Sequence, residues 1–246
     1  MPQVEVPKAA ANILEGSEFL KLDFLKQRSQ RDTICQSLLG LATAYESWIT
    51  SIEADIDSAV SEFVPEHRDA VRRVCGENIE QCRKAAERIR LGVACLKEKD
   101  AVWEAFCLAN EAMARSMLKS RPGKTPTWRA FQLAFILVCL PSSVDPKHDH
   151  RKTLDLIWFP TGGGKTEAYL GLAATVIFYR RLIARTSAEA QGTTVLTRYT
   201  LRLLTIQQFE RATKMICACE LIRQADPQRL GETRLTCGLF VGNSAT

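Results

Sequence analysis

Between Thr153 and Ala174 the chain reads TLDLIWFPTGGGKTEAYLGLAA. A mostly apolar run of strand length meets a proline, three consecutive glycines and a Lys-Thr pair, and a helical period begins at once. This order constrains the fold more than any other stretch, because a glycine-rich turn between strand and helix is the context in which a phosphate grip is credible. Gly162, Gly163 and Gly164 let the backbone wrap an anion with its N–H groups where a Cβ would block it. Lys165 would reach the β- and γ-phosphates, Thr166 would place its hydroxyl on Mg²⁺, and Thr161 completes the loop. The positive end of the following helix adds to the same site. The predicted ligands are ATP and Mg²⁺. The other reading is a glycine-rich turn ahead of an ordinary helix. The general pattern GxxxxGK[ST] asks for glycine where Phe159 stands, so the match is incomplete.

On either side of this loop the periodicity differs in kind. From about 12 to 120 it is helical throughout: Leu38, Leu41, Ala42, Tyr45, Trp48, Ile49, Ile52 and Ile56 recur at spacings of three and four. Pro65 then opens a second helix with Val71, Val74, Ile79, Cys82, Ala86, Ile89, Val93 and Leu96 on one face. A third follows the charged KEKD. The stretch RPGKTPT, 121–127, breaks the period. Beyond it, helices alternate with the apolar runs TLDLIWF, TVLTRYT and TCGLFVG, which predicts βαβ units. The expected fold class is therefore α/β: an incomplete RecA-like parallel-sheet domain over 123–246, preceded by an all-α helical domain over 1–122.

Composition narrows the function classes. No apolar run approaches the roughly 20 residues of a membrane-spanning helix, and the N-terminus lacks the pattern of a secretory leader, so the expected location is the cytoplasm. Nine cysteines, an odd number without CxxC spacing, read as small core residues of a reducing compartment rather than zinc ligands. Residues 1–125 carry 18 basic and 19 acidic side chains, whereas 126–246 carry 15 and 9. The positive excess thus falls in the half with the glycine loop, where a nucleic-acid partner and an ordinary solvated surface are both open readings.

IWFPTGGGKTEAYLGLAA, with VLTRYTLRLLTIQQFERA downstream, resembles the superfamily 2 helicase of the DISARM anti-phage system, the DrmA family; AYESWI in the helical half is a weaker echo. Motors of superfamilies 1 and 2 often lack the first glycine of the general pattern, which suits Phe159. The resemblance implies an ATP-dependent DNA helicase or translocase acting in bacterial defence with other proteins of the same system. It also implies roles for single residues. In WRAFQLAF, Gln132 matches the glutamine that reads adenine, a task suited to an amide with both donor and acceptor, and Arg129 assists. In VLTRYTLRLL, Arg198, Thr200 and Arg202 match a segment that touches the nucleic-acid backbone; the plain alternative is a strand-to-helix corner with surface arginines.

The same resemblance marks what the chain lacks. No adjacent Asp-Glu pair follows an apolar strand after Lys165, and the closing SAT is read as coincidence with a coupling motif. Besides the loop hydroxyl, hydrolysis needs a carboxylate at a strand end to hold the metal, a group to orient water and usually a facing arginine. The chain is accordingly expected to be the N-terminal part of a larger motor, cut within its first RecA-like domain, or a split gene product; alone it is expected to bind nucleotide weakly at best and to hydrolyse none. Two further classes stay open: a nucleotide-dependent switch of AAA or STAND type, and a non-enzymatic helical adaptor with a relic loop.

Overall fold

The computed structural model describes residues 14, 16–120, 123–159, 163–199 and 202–240, without the side chains of 120 and 202–204. Among them, helices α1 (Leu22–Leu25), α2 (Arg31–Ser61), α3 (Pro65–Glu98) and α4 (Asp100–Ser120) form the first half. The second half contributes α5 (Ala130–Val144), α6 (Lys165–Ile183), α7 (Ser187–Ala190), α8 (Arg202–Ala225) and α9 (Pro227–Leu230). No helix among the described residues is long and apolar enough to cross a membrane.

The long helices fall where the apolar period placed them. Pro65 sits in the first turn of α3, where its missing N–H is not needed. The hairpin of α2 and α3 is held by a small apolar cluster, Ile49, Ile79 and Ala86, and by cross-helix pairs such as Arg83–Glu53 and Arg90–Glu46. Such exposed pairs contribute well under about 1 kcal/mol each, so the apolar seam carries the hairpin.

Helix α4 is the axis of the molecule. Val102, Trp103, Ala105, Phe106, Leu108, Ala109, Ala112 and Met113 are buried, so the helix is apolar nearly all round, as a helix enclosed by others must be. It packs against α1, α3, α6 and α8, and one continuous core runs from Leu22 through α4 to Phe178, Cys219 and Ile222. Its buried Asn110 is satisfied: Nδ2 donates to the Phe106 carbonyl at 2.9 Å, and Oδ1 accepts from the Trp128 indole at 2.8 Å. Trp128 lies just past the proline-rich turn, which an isolated antiparallel bridge between Lys21 and Thr127 fastens to the N-terminal segment.

Helix α5 runs through Pro141, which can offer no N–H to the Leu137 carbonyl one turn back. At that carbonyl α3 makes its closest approach. A Cβ on Gly92 would lie 2.1 Å from Leu137 O, so only glycine fits, and the two backbones meet where the helix has left an acceptor free.

The expected RecA-like parallel sheet is absent, and this corrects the fold class: the described residues contain no strand, and their architecture is all-α. Among the described residues, 153–159, 194–199 and 236–240 of the three apolar runs belong to no helix and pair with no other strand. In 153–159 alternate side chains point out, with Leu154, Leu156 and Trp158 exposed by 91%, 82% and 86%, while Asp155, Ile157 and Phe159 turn inward. A ladder needs a neighbouring backbone about 4.8 Å away in the hydrogen-bonding direction, and no described segment is paired with this one there. Side chains do the fastening. Asp155 receives two hydrogen bonds from Arg88 of α3, at 2.5 and 2.8 Å. Arg180 of α6 donates to the carbonyls of Glu189 and Thr193, at 3.0 and 3.3 Å, ahead of the second run. Glu220 of α8 accepts from the Leu235 amide at 2.9 Å and so anchors the approach to the third. Residues 241–246, with the SAT tripeptide, lie outside the described residues.

Candidate phosphate-loop site

The loop enters α6 through Gly164, whose φ of +88° is a left-handed conformation that glycine adopts without strain. A Cβ there would also fall 2.7 Å from Gln132 Nε2. Two side chains of the α5 N-terminus hold the loop from behind. Arg129 Nη1 donates to the Gly163 carbonyl at 3.0 Å, and Gln132 Nε2 donates to the Gly164 carbonyl at 2.6 Å. In a trans peptide the C=O and the following N–H point in opposite directions. Tying back these two carbonyls therefore turns the N–H groups of Gly164 and Lys165 away from α5, toward the open side of the helix N-terminus. That is the arrangement an anion requires.

Gln132 is only 3% exposed, and both ends of its amide are engaged. Its Oε1 accepts from the Arg129 backbone N–H at 2.8 Å, capping α5, while Nε2 clamps the loop. The geometry thus places Gln132 beside the glycine loop as a brace. Phe159, which stands in place of the usual glycine, stacks on Phe131 of α5 with ring centroids 4.1 Å apart and planes 13° apart. The Lys165 ammonium donates to the Phe159 carbonyl, so this lysine currently closes the loop on itself.

Thr166, in the first turn of α6, is buried, and its hydroxyl has two partners: Gln208 Oε1 at 3.0 Å and the Tyr169 hydroxyl at 3.0 Å. Tyr169 in turn lies 3.5 Å from the hydroxyl of Tyr199, whose proton is held more tightly than usual, chiefly by burial and then by this contact. Glu167 would place a negative charge next to any bound phosphate, but Arg211 of α8 forms an ion pair with it. This chain's residues fit a magnesium-bound phosphate chain: a glycine at 164 with no room for a Cβ, an ammonium at Lys165, and the Thr166 hydroxyl in the first helical turn.

Of the other residues expected to act, Arg198 is exposed on the extended segment, one residue before Tyr199. Thr161, Gly162 and Thr200 lie outside the described residues, as does the side chain of Arg202, which opens α8. Sequence reasoning missed Phe131, Tyr169, Gln208 and Arg211. The spacing of Gln208 and Arg211, which puts them on one face of α8, was available, but nothing in it says which helix they meet.

No protein-family model matches the chain. It is, however, 41% identical over 242 aligned residues to "DISARM protein DrmA" of Bacillus paralicheniformis. Over that stretch, this chain is a relative of DrmA. The match takes in 91% of the chain but 20% of the DrmA protein, so the chain spans about a fifth of its relative's length.

Proposed function

We propose that the loop around Phe159–Thr166 binds the triphosphate of ATP with Mg²⁺, and that the chain serves the bacterial anti-phage defence for which its relative is named. The observation that carries the nucleotide reading is the pair of tied-back carbonyls at Gly163 and Gly164, which aims two backbone N–H groups at the place an anion would occupy. When bound, the metal offsets phosphate charge; Lys165 and Thr166 are the side chains of this chain that would meet the phosphates and the metal.

The same reading makes the whole motor an ATP-dependent helicase or translocase, with DNA and the other proteins of the defence system as partners. Exposed Arg198, together with Thr200 and Arg202, is the proposed contact to the DNA backbone. Support comes from the similarity to DrmA and from the positive charge excess of this half of the chain. The reading keeps hydrolysis for the longer protein and binding for this segment. Titration of a fluorescent ATP analogue into the purified chain tests it: saturable binding that Lys165→Ala weakens at least tenfold is expected, and equal binding by wild type and Lys165→Ala overturns it.

A further inference from the structure

The Thr166 hydroxyl is oriented by its neighbours. The Gln208 side-chain carbonyl can only accept, so the Thr166 proton points at it across 3.0 Å, and Tyr169 then donates to Thr166. A hydroxyl oxygen has two lone pairs. Tyr169 takes one, and with the proton directed toward α8 the other remains for a cation. If the Gln208 amide nitrogen stood there instead, Thr166 would accept twice and keep no lone pair.

The two partners differ in origin. Tyr169 belongs to α6 itself, one turn beyond Thr166, whereas Gln208 comes from α8. One turn along α8, Arg211 pairs with Glu167, so α8 grips two successive residues of the loop's helix. Tyr199, in the extended segment before α8, approaches Tyr169 from the same part of the chain. The ligand hydroxyl is thereby tied to a helix outside the phosphate loop.

We propose that Gln208 is a positioning residue for a divalent cation at Thr166. This rests on the phosphate-loop reading above. Gln208 touches neither metal nor nucleotide; it sets the direction of the hydroxyl that does.

The test compares binding of a fluorescent ATP analogue to the full chain in Mg²⁺ and in EDTA. Wild type binds more tightly in Mg²⁺. Gln208→Met keeps the length of the side chain and removes the acceptor; the magnesium-dependent gain falls about fivefold, the worth of one neutral hydrogen bond, while affinity in EDTA stays within twofold. In a Thr166→Val background the same change has no further effect. Gln208→Glu, which retains an acceptor oxygen, keeps the gain and guards against a variant that merely folds poorly. An equal loss in both media, full additivity with Thr166→Val, or loss of the gain in Gln208→Glu overturns the proposal. Wild-type binding that ignores Mg²⁺ overturns it and leaves the phosphate loop standing. No binding in either medium removes the phosphate-loop reading and this one with it.

Discussion

Phe131 and Phe159 stack at 4.1 Å between ring centroids, fastening the start of the glycine loop to helix α5. A glycine at 159 could not make this contact, so the departure from the general loop pattern has a structural use here. Phe131→Ala removes the stack and leaves a ring-sized gap beneath the loop. Beyond lost burial, the pair itself is worth about 1 kcal/mol. Amide exchange at Gly163 and Gly164 is expected to quicken severalfold, with the exchange of α4 unchanged.

Gly164→Ala combines two costs: a left-handed backbone and a Cβ 2.7 Å from Gln132 Nε2. The conformational part alone is about 1–2 kcal/mol. The substitution should abolish nucleotide binding while circular dichroism retains the full helical signal, because α6 begins only after this residue. Unchanged affinity in this variant would refute the geometry of the loop.

Gly92→Ala probes the crossing of α3 and α5. Its Cβ would meet the Leu137 backbone oxygen at 2.1 Å, and a backbone atom cannot rotate aside. The helices must separate, at a cost of about 3 kcal/mol, which lowers the melting temperature by roughly 6–12 °C. The neighbouring substitution Leu91→Ala, at an exposed position, serves as the control and should shift it by far less.

Acid should release the extended segments before the helical core. Arg88 holds the Asp155 carboxyl below its ordinary range, and Arg223, with the Leu235 amide, holds Glu220 near a pKa of about 2. Both values are depressed on folding, so each group contributes stability above its unfolded pKa and loses it as pH falls through the folded one. For Glu220 the loss runs from its ordinary 4.5 down to about 2. Limited proteolysis with an acid-active protease should cut near 153–159 and 231–240 first, and Arg88→Leu should open the former site at neutral pH. Simultaneous cleavage within α4 would contradict this order.

The helical half of the chain was legible without a structure. Leu38, Leu41, Ile49 and Ile56 repeat with the period of a helix, and that period depends on local geometry alone. The glycine loop was legible for the same reason, since Gly164 needs a conformation few other residues adopt. The sheet was misread because pairing is not local. Leu154 to Phe159 make an apolar run of strand length, but length and hydrophobicity do not supply a partner; whether another backbone lies alongside depends on chain far away.

The sequence by itself determined where helices form, where they break, and where three glycines open a turn ahead of helix α6. Tertiary structure alone decided what those pieces touch. Arg88 claims Asp155, Phe131 claims Phe159, and Gln208 claims the hydroxyl of Thr166. Each contact joins side chains separated by 28 to 67 positions in the chain, and no local period encodes such a distance.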